Sequence, residues 1–177
     1  FPTRGKSCKI MKKILYLQPH TKKLEMNRLI LIVFTLFTTA ISAFSQTDLN
    51  TDPDSIVGEY EVLHQGECAK VRIMKEEDGT YSARIFWVDD MYDKHGRLRL
   101  DKKNPDKNLR DQAIDSIVIM TGLRYDAKKQ QWGGTKIYDP TRGARANVHC
   151  EFRDRKGLRV RMTVLCFSQT CFFRKLD

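Results

Sequence analysis

Leu158, Val160, Met162 and Val164 alternate with Arg159, Arg161 and Thr163. A period of two is that of a strand with one face buried. The same period runs through residues 144–152, where Ala144, Ala146, Val148, Cys150 and Phe152 alternate with Arg145, Asn147, His149 and Glu151. An extended run begins at Gln131 and reaches that strand through Asp139-Pro140-Thr141-Arg142-Gly143. Proline's fixed φ, an aspartate that can accept the turn's amides and a glycine free to take positive φ make this a tight turn. Gly133 and Gly134 beside Trp132 predict a bulge or sharp bend before it.

The rest of the chain follows the same pattern. Residues 56–62, containing Gly58-Glu59-Tyr60, and residues 70–75 are strand candidates, and Glu77-Asp78-Gly79 is a hairpin turn. In residues 81–88 the alternation puts Tyr81, Ala83, Ile85 and Trp87 on one face. Residues 117–125 are apolar on both faces and predict a central strand; residues 171–176 supply the last one. Many short strands with almost no helix predict an all-β fold, an antiparallel up-and-down barrel of about eight strands. Gly58 and Tyr60 in the first strand and Arg174 in the last favour closure by pairing the two ends, with Arg174 stacked on Tyr60 as a cation–π contact. Residues 89–110 have no apolar period and form one long polar loop, a feature that is often functional. Asn108 is placed to cap a helical turn running to Ile114.

The first 45 residues change the meaning of the composition. Met26-Asn27-Arg28, an apolar run over 29–37 and small residues at Ala43 and Ser45 make a signal peptide over 26–45, cleaved before Gln46. Met11 and Met26 are both available starts, and residues 1–25 are expected to be upstream translation rather than working protein. The whole chain carries a formal charge of +10, but 8 of its 32 basic and 1 of its 22 acidic residues lie in the first 45. The remaining 132 residues hold 24 basic against 21 acidic residues, so a nucleic-acid partner has no support. That length is one domain: a polar, flexible leader over 46–55 and a barrel over 56–177.

Candidate chemistry is sparse. Cys68, Cys150, Cys166 and Cys171 either form disulfides, with Cys166 and Cys171 spaced to pair across a hairpin, or stay as small buried thiols. His64, His95 and His149 lie far apart in sequence and give no metal spacing. No phosphate-binding glycine loop and no Gly-x-Ser-x-Gly element occurs, and nothing points to a cofactor or metal. In the long loop, Asp101, Asn104, Asp106 and Arg110 combine two carboxylates, an amide and a guanidinium. That set can meet a polar head group, or equally serve the loop's own turns. Trp132 and Tyr138, with Trp87 and Phe152, are candidates to line a cavity or to fill the core.

From Asp101 onward, ordered motifs become specific: Asp101-x-Lys103-Asn104-Pro105-Asp106, Leu109-Arg110, Thr121-Gly122-Leu123, Trp132, and Ile137-Tyr138-Asp139-Pro140 with Gly143. In these the chain resembles the exported bacterial domain-of-unknown-function family 2147, over residues 56–175. Gln112, Ala113, Ser116, Ala146 and Tyr60 depart from that family's pattern and mark a divergent member. The resemblance implies a small exported barrel of lipocalin-like (calycin) kind and brings no activity with it.

The expectation is therefore a periplasmic or secreted barrel, without catalysis, that binds a small, partly apolar ligand. Its interior takes the apolar part and the loop with Asp101, Asn104, Asp106 and Arg110 meets the polar end, while Trp132, Tyr138 and Asp139 complete the candidate ligand-binding set. One alternative is an enzyme of envelope lipid or glycan using Asp101, Asp106 or Asp139 as acid or base. Another is an interaction module whose basic hairpin, Arg142, Arg145, Arg153, Arg155, Lys156, Arg159 and Arg161, contacts a membrane surface or another envelope component.

Overall fold

The computed structural model describes residues 47–177. The signal peptide expected over 26–45, the cleavage point and the upstream segment lie outside the described residues. Eight strands follow one another: β1 (Gly58–His64), β2 (Glu67–Lys75), β3 (Tyr81–Val88), β4 (Val118–Asp126), β5 (Gln131–Asp139), β6 (Ala144–Phe152), β7 (Gly157–Val164) and β8 (Phe167–Lys175). Each pairs antiparallel with its neighbour, and β1 closes on β8 through Tyr60↔Lys175, Glu61↔Arg174 and Val62↔Phe173. The sheet is a closed up-and-down barrel, so it leaves no free strand edge.

Short turns set the register. Gln65 (φ 51) and Gly66 (φ 85) link β1 to β2, both in the left-handed region that a two-residue hairpin of primed type requires. In the β5–β6 turn the Asp139 carboxylate accepts from Thr141 N at 2.9 Å and from its hydroxyl at 2.6 Å, while Gly143 N donates to Asp139 O at 2.8 Å. Gly143 has φ 67, and a Cβ there would lie 2.2 Å from Lys103 O, so the turn is seated directly against the long loop. The expected bulge is present: the β5–β6 register shifts between Trp132 and Thr135.

The barrel is filled unevenly. One end, the floor, holds Trp132, Tyr60, Tyr81, Phe152, Leu123 and Leu158, all fully buried. Trp132 meets Phe152 edge-on at 5.9 Å and Tyr125 at 5.2 Å. Residues 47–55, expected as a flexible leader, instead form, together with Ile56, helix α1 (Thr47–Thr51) and a 3₁₀ turn (Pro53–Ile56) that cross this floor, and the first strand starts at Gly58 rather than at Ile56. Asn50 bonds both the amide and the carbonyl of Phe152, Trp132 Nε1 donates to Pro53 O, and the Tyr60 and Tyr125 hydroxyls donate to Ile56 O and Asn50 O. Trp132, Tyr60 and Tyr125 thus each carry a polar tip that donates to a leader carbonyl, and the Tyr81 hydroxyl donates to the Asp54 carboxylate.

Five side chains, Arg174, Trp87, Asn108, Cys166 and Cys171, stand otherwise than the sequence placed or allowed them. The cation over the Tyr60 ring is Lys175, at 5.9 Å, and not Arg174. Inward and outward positions alternate, so Lys175 turns in after Phe173 while Arg174 turns out to pair with Glu61. Trp87 leaves the inner face because the β2–β3 register shifts between Lys70 and Val71; Lys70 lies over its ring and Val88 is buried instead. The helical turn in the loop (Lys107–Leu109) is capped by Asp106, whose carboxylate accepts from Asn108 N, and not by Asn108. Finally, Cys166 and Cys171 do not pair: Cys150, Cys166 and Cys171 are free, and Cys68 is disulfide-bonded.

Candidate functional site

Above the aromatic floor the inward positions turn smaller: Val62 on β1, Val71 on β2, Ile85 on β3, Ile119 on β4, Ile137 on β5 and Cys171 on β8. Strands are spaced by backbone hydrogen bonds, so shorter side chains at the same barrel radius leave space unfilled. The result is a cavity of about 90 Å³ with apolar walls, open toward the end that carries the β1–β2, β5–β6 and β7–β8 turns and the long loop. Ile114, from the 3₁₀ turn Ile114–Ser116 at the end of that loop, drops into its rim. An engineered apolar cavity of ~150 Å³ holds benzene. In proportion this one takes about four heavy atoms, the end of a ligand rather than the whole.

The rim is polar and charged. His64 ends β1 on the inward phase set by Tyr60 and Val62, and Asp139 ends β5 on the phase of Ile137. His64 Nε2 lies 3.2 Å from Asp139 Oδ2, with side chains only 21% and 13% exposed. The Gln65 amide stands 2.9 Å from the same ring nitrogen. The hydrogen bond to Asp139, and then the neighbouring Cys171 thiol, push His64 up to about 9, against its burial. Burial alone would raise Asp139; the bonds from His64 and Thr141 outweigh it and hold the carboxyl well below the usual carboxylate range. At neutral pH the rim therefore carries an imidazolium–carboxylate pair at the edge of an apolar hole.

The long loop runs past this rim and is knitted to itself. Asp101 and Asn104 are buried. The Asp101 carboxylate accepts from Asn104 Nδ2 and from the Tyr138 hydroxyl, both at 2.7 Å. Asn104 Oδ1 accepts from Asp106 N, Arg110 Nε donates to Asn104 O at 2.8 Å, and Asp106 caps the following turn. These four residues shape the loop and tie it to β5 through Tyr138. Of the residues singled out in sequence, Tyr138 and Asp139 line the cavity, Asp101 reaches it only through Tyr138, and Trp132 belongs to the floor at the opposite end. The loop does build a second feature, an open cleft of about 720 Å³. The cleft and the cavity share Glu67, Ile114, Pro140 and Thr141 as wall residues. Four cations, Arg97, Arg99, Lys102 and Lys103, line it with two carboxylates, Glu67 and Asp93; Arg97 pairs with Asp93, Arg99 with Glu67 and Lys102 with Asp111, and Lys103 Nζ donates to Thr141 O.

His64 and Cys171 also line this cavity, and sequence spacing did not single them out for it. Their signal was the closure of the barrel itself: the inward phase of Tyr60 and Val62 continues to His64, and that of Phe173 to Cys171. The basic hairpin is largely satisfied in place: Arg153 and Arg159 pair with Glu151, Arg142 with Gln169 and Asp139, and Arg145 lies over the Tyr138 ring. Among the described residues no group of three or more His, Cys, Asp or Glu is placed to hold a metal ion.

The sequence profile of the family described as "Uncharacterized protein conserved in bacteria (DUF2147)" matches residues 58–174. No curated protein matches the chain. Among solved structures, "Protein HP1028 from the human pathogen Helicobacter pylori belongs to the lipocalin family" superposes with a TM-score of 0.57 at 20% identity, over 69% of this chain and 83% of that one. At that identity the likeness is one of fold.

Proposed function

The chain belongs to this bacterial family, and we propose that its lipocalin-like barrel binds a small amphipathic ligand with an anionic head. The observation that carries this reading is the continuity of an apolar cavity with a basic cleft through shared wall residues. A short hydrocarbon end enters between Val62, Val71, Ile119 and Ile137, and the head lies in the cleft near His64, Arg99 and Lys103. Sites of this kind use apolar walls for affinity and a few polar groups for orientation. Enclosing about four carbons, at about 0.8 kcal/mol for each buried methylene, favours butanoate over acetate by about one to two kcal/mol, while longer chains gain little more inside the barrel.

Isothermal titration with acetate, butanoate, decanoate and butanol tests the reading. Butanoate is expected to bind more tightly than acetate through its chain and more tightly than butanol through its charge. Val62→Phe or Val71→Phe, which fill the hole, are expected to abolish binding. Equal affinity in the filled variants, or no preference for the acid, contradicts it.

Export is part of the same proposal and is supported by the signal-peptide pattern over 26–45. Recovery from the periplasmic or culture fraction with an amino terminus at Gln46 checks it. Contact with a membrane surface is a second reading, favoured by one observation: the β7–β8 turn carries Leu165 at 91% and Phe167 at 76% exposure. Apolar residues so exposed on one hairpin tip suit insertion among lipid head groups. Co-sedimentation with anionic vesicles, lost in a Leu165→Asp, Phe167→Ser variant, supports it; no sedimentation of the parent protein ends it.

A further inference from the structure

Three free thiols occupy three environments in this barrel. Cys150 is buried within the sheet, where burial pushes its thiol up to about 12. Cys166 is exposed in the β7–β8 turn. Cys171 differs from both: it is 7% exposed, yet it lines the cavity. The β1–β8 register pairs Val62 with Phe173. Continued by two residues, it sets His64 opposite Cys171 on the same inner face. The Cys171 thiol donates to Leu63 O at 3.7 Å, the carbonyl of the residue just before His64 in β1. His64 Nε2 is held by Asp139, which Thr141 fixes in turn, so Nδ1 is the ring nitrogen left for the thiol.

A thiol, an imidazole within reach and a carboxylate orienting that imidazole are the three parts of an activated nucleophile. Here they stand around an apolar hole. We propose that Cys171, His64 and Asp139 form a nucleophilic thiol centre that accepts a short acyl group from an activated ester. The proposal rests on the cavity being a binding site and adds a covalent step to it. His64 already carries the proton as the rim imidazolium and faces the Cys171 sulfur as an ion pair, and that sulfur attacks the acyl carbonyl carbon. The C–S bond forms as the C–O bond to the leaving group breaks, and the proton on His64 passes to the departing oxygen. Thiol and ester become thioester and alcohol. Asp139 acts as a positioning residue: it keeps the ring turned so that the second nitrogen faces sulfur. The size of the hole sets the substrate class, an acyl group of about four heavy atoms, with the alcohol part left in the cleft.

Cys166 is an internal control in the same molecule. Treated with p-nitrophenyl butanoate at pH 7, the full chain is expected to release nitrophenolate in a burst of one equivalent. Peptide mass mapping is expected to place the butanoyl group on Cys171 at least tenfold faster than on Cys166, although Cys166 is far more exposed. With p-nitrophenyl decanoate the preference is expected to shrink or reverse. His64→Gln and Asp139→Asn are expected to slow Cys171 tenfold or more while leaving the Cys166 rate unchanged, with circular dichroism and a cooperative urea transition showing that each variant is folded. Acylation of Cys171 no faster than Cys166 in the parent protein overturns the proposal, and so does an unchanged Cys171 rate in both variants. Butanoate binding by Cys171→Ala separates the two readings. Binding retained with a sluggish Cys171 overturns the thiol centre alone; a fast Cys171 without butanoate binding overturns the ligand reading alone.

Discussion

Replacing His64 by Gln removes one titration whose size and direction the rim geometry fixes. His64 is held at about 9 in the folded chain by its bond to Asp139, against 6.5 when unfolded. At about 1.4 kcal/mol for each pH unit, that difference is worth about 3 kcal/mol of stability. The folded-state value is the higher one, so the contribution is complete below pH 6.5. It falls as pH rises through 9 and is gone above that. Asp139 works in the opposite direction: its folded-state value is depressed, so its contribution is complete above the ordinary carboxylate range and is lost as the solution is acidified. The pair is therefore at full strength in mildly acidic solution. Urea unfolding monitored by tryptophan fluorescence at pH 6, 7.5 and 9.5 measures this. With a slope of about 2 kcal/mol per molar, the parent midpoint is expected to drop by about 1.5 M between pH 6 and 9.5. His64→Gln is expected to start lower at pH 6 and to lose much less. An equal decline in parent and variant would show that the loss has another source, and the imidazolium–carboxylate pair would have to be abandoned.

Three further perturbations test the frame around the rim. Trp132→Ala empties the floor and removes the bond to Pro53 O; a loss of about 3–5 kcal/mol in urea unfolding is expected, with butanoate affinity falling less than stability does. Asn50→Ala breaks both bonds to Phe152 and is expected to cost about 2 kcal/mol, together with faster amide exchange at Phe152. Gly143→Ala forces a Cβ to within 2.2 Å of Lys103 O in a positive-φ turn, so it is expected to destabilise by about 2 kcal/mol and to lower butanoate affinity by shifting the loop; an unchanged midpoint would contradict that contact.

The fold was legible because it depends on period and turn chemistry, both local properties. The alternation in 144–152 and 158–164 and the Asp139–Gly143 turn specify strands and their ends without reference to the rest of the chain. What depends on phase across a bulge was not legible. One register shift between Lys70 and Val71 moved Trp87 out of the core. Arg174 and Lys175 are both cations, and only the closing register decides which of them faces Tyr60. The leader gave no signal because its contribution is backbone carbonyls, which every residue carries, and Asn50 and Asp54 side chains whose partners lie far away in sequence. The loop set Asp101, Asn104, Asp106 and Arg110 stood out by composition, and composition does not separate residues that hold a loop from residues that hold a ligand. His64 and Cys171 are more than a hundred residues apart in sequence, and the pairing of the first strand with the last is what brings them to one rim.

Carbon-13 methyl spectra recorded during a butanoate titration test the ligand reading most directly. Saturable shifts at Val62, Ile85, Ile119 and Ile137, with Leu123 and Leu158 on the floor unmoved, are the predicted result. Shifts that fail to saturate, or that fall on Leu165 and the outer face while the cavity methyls stay still, would contradict it.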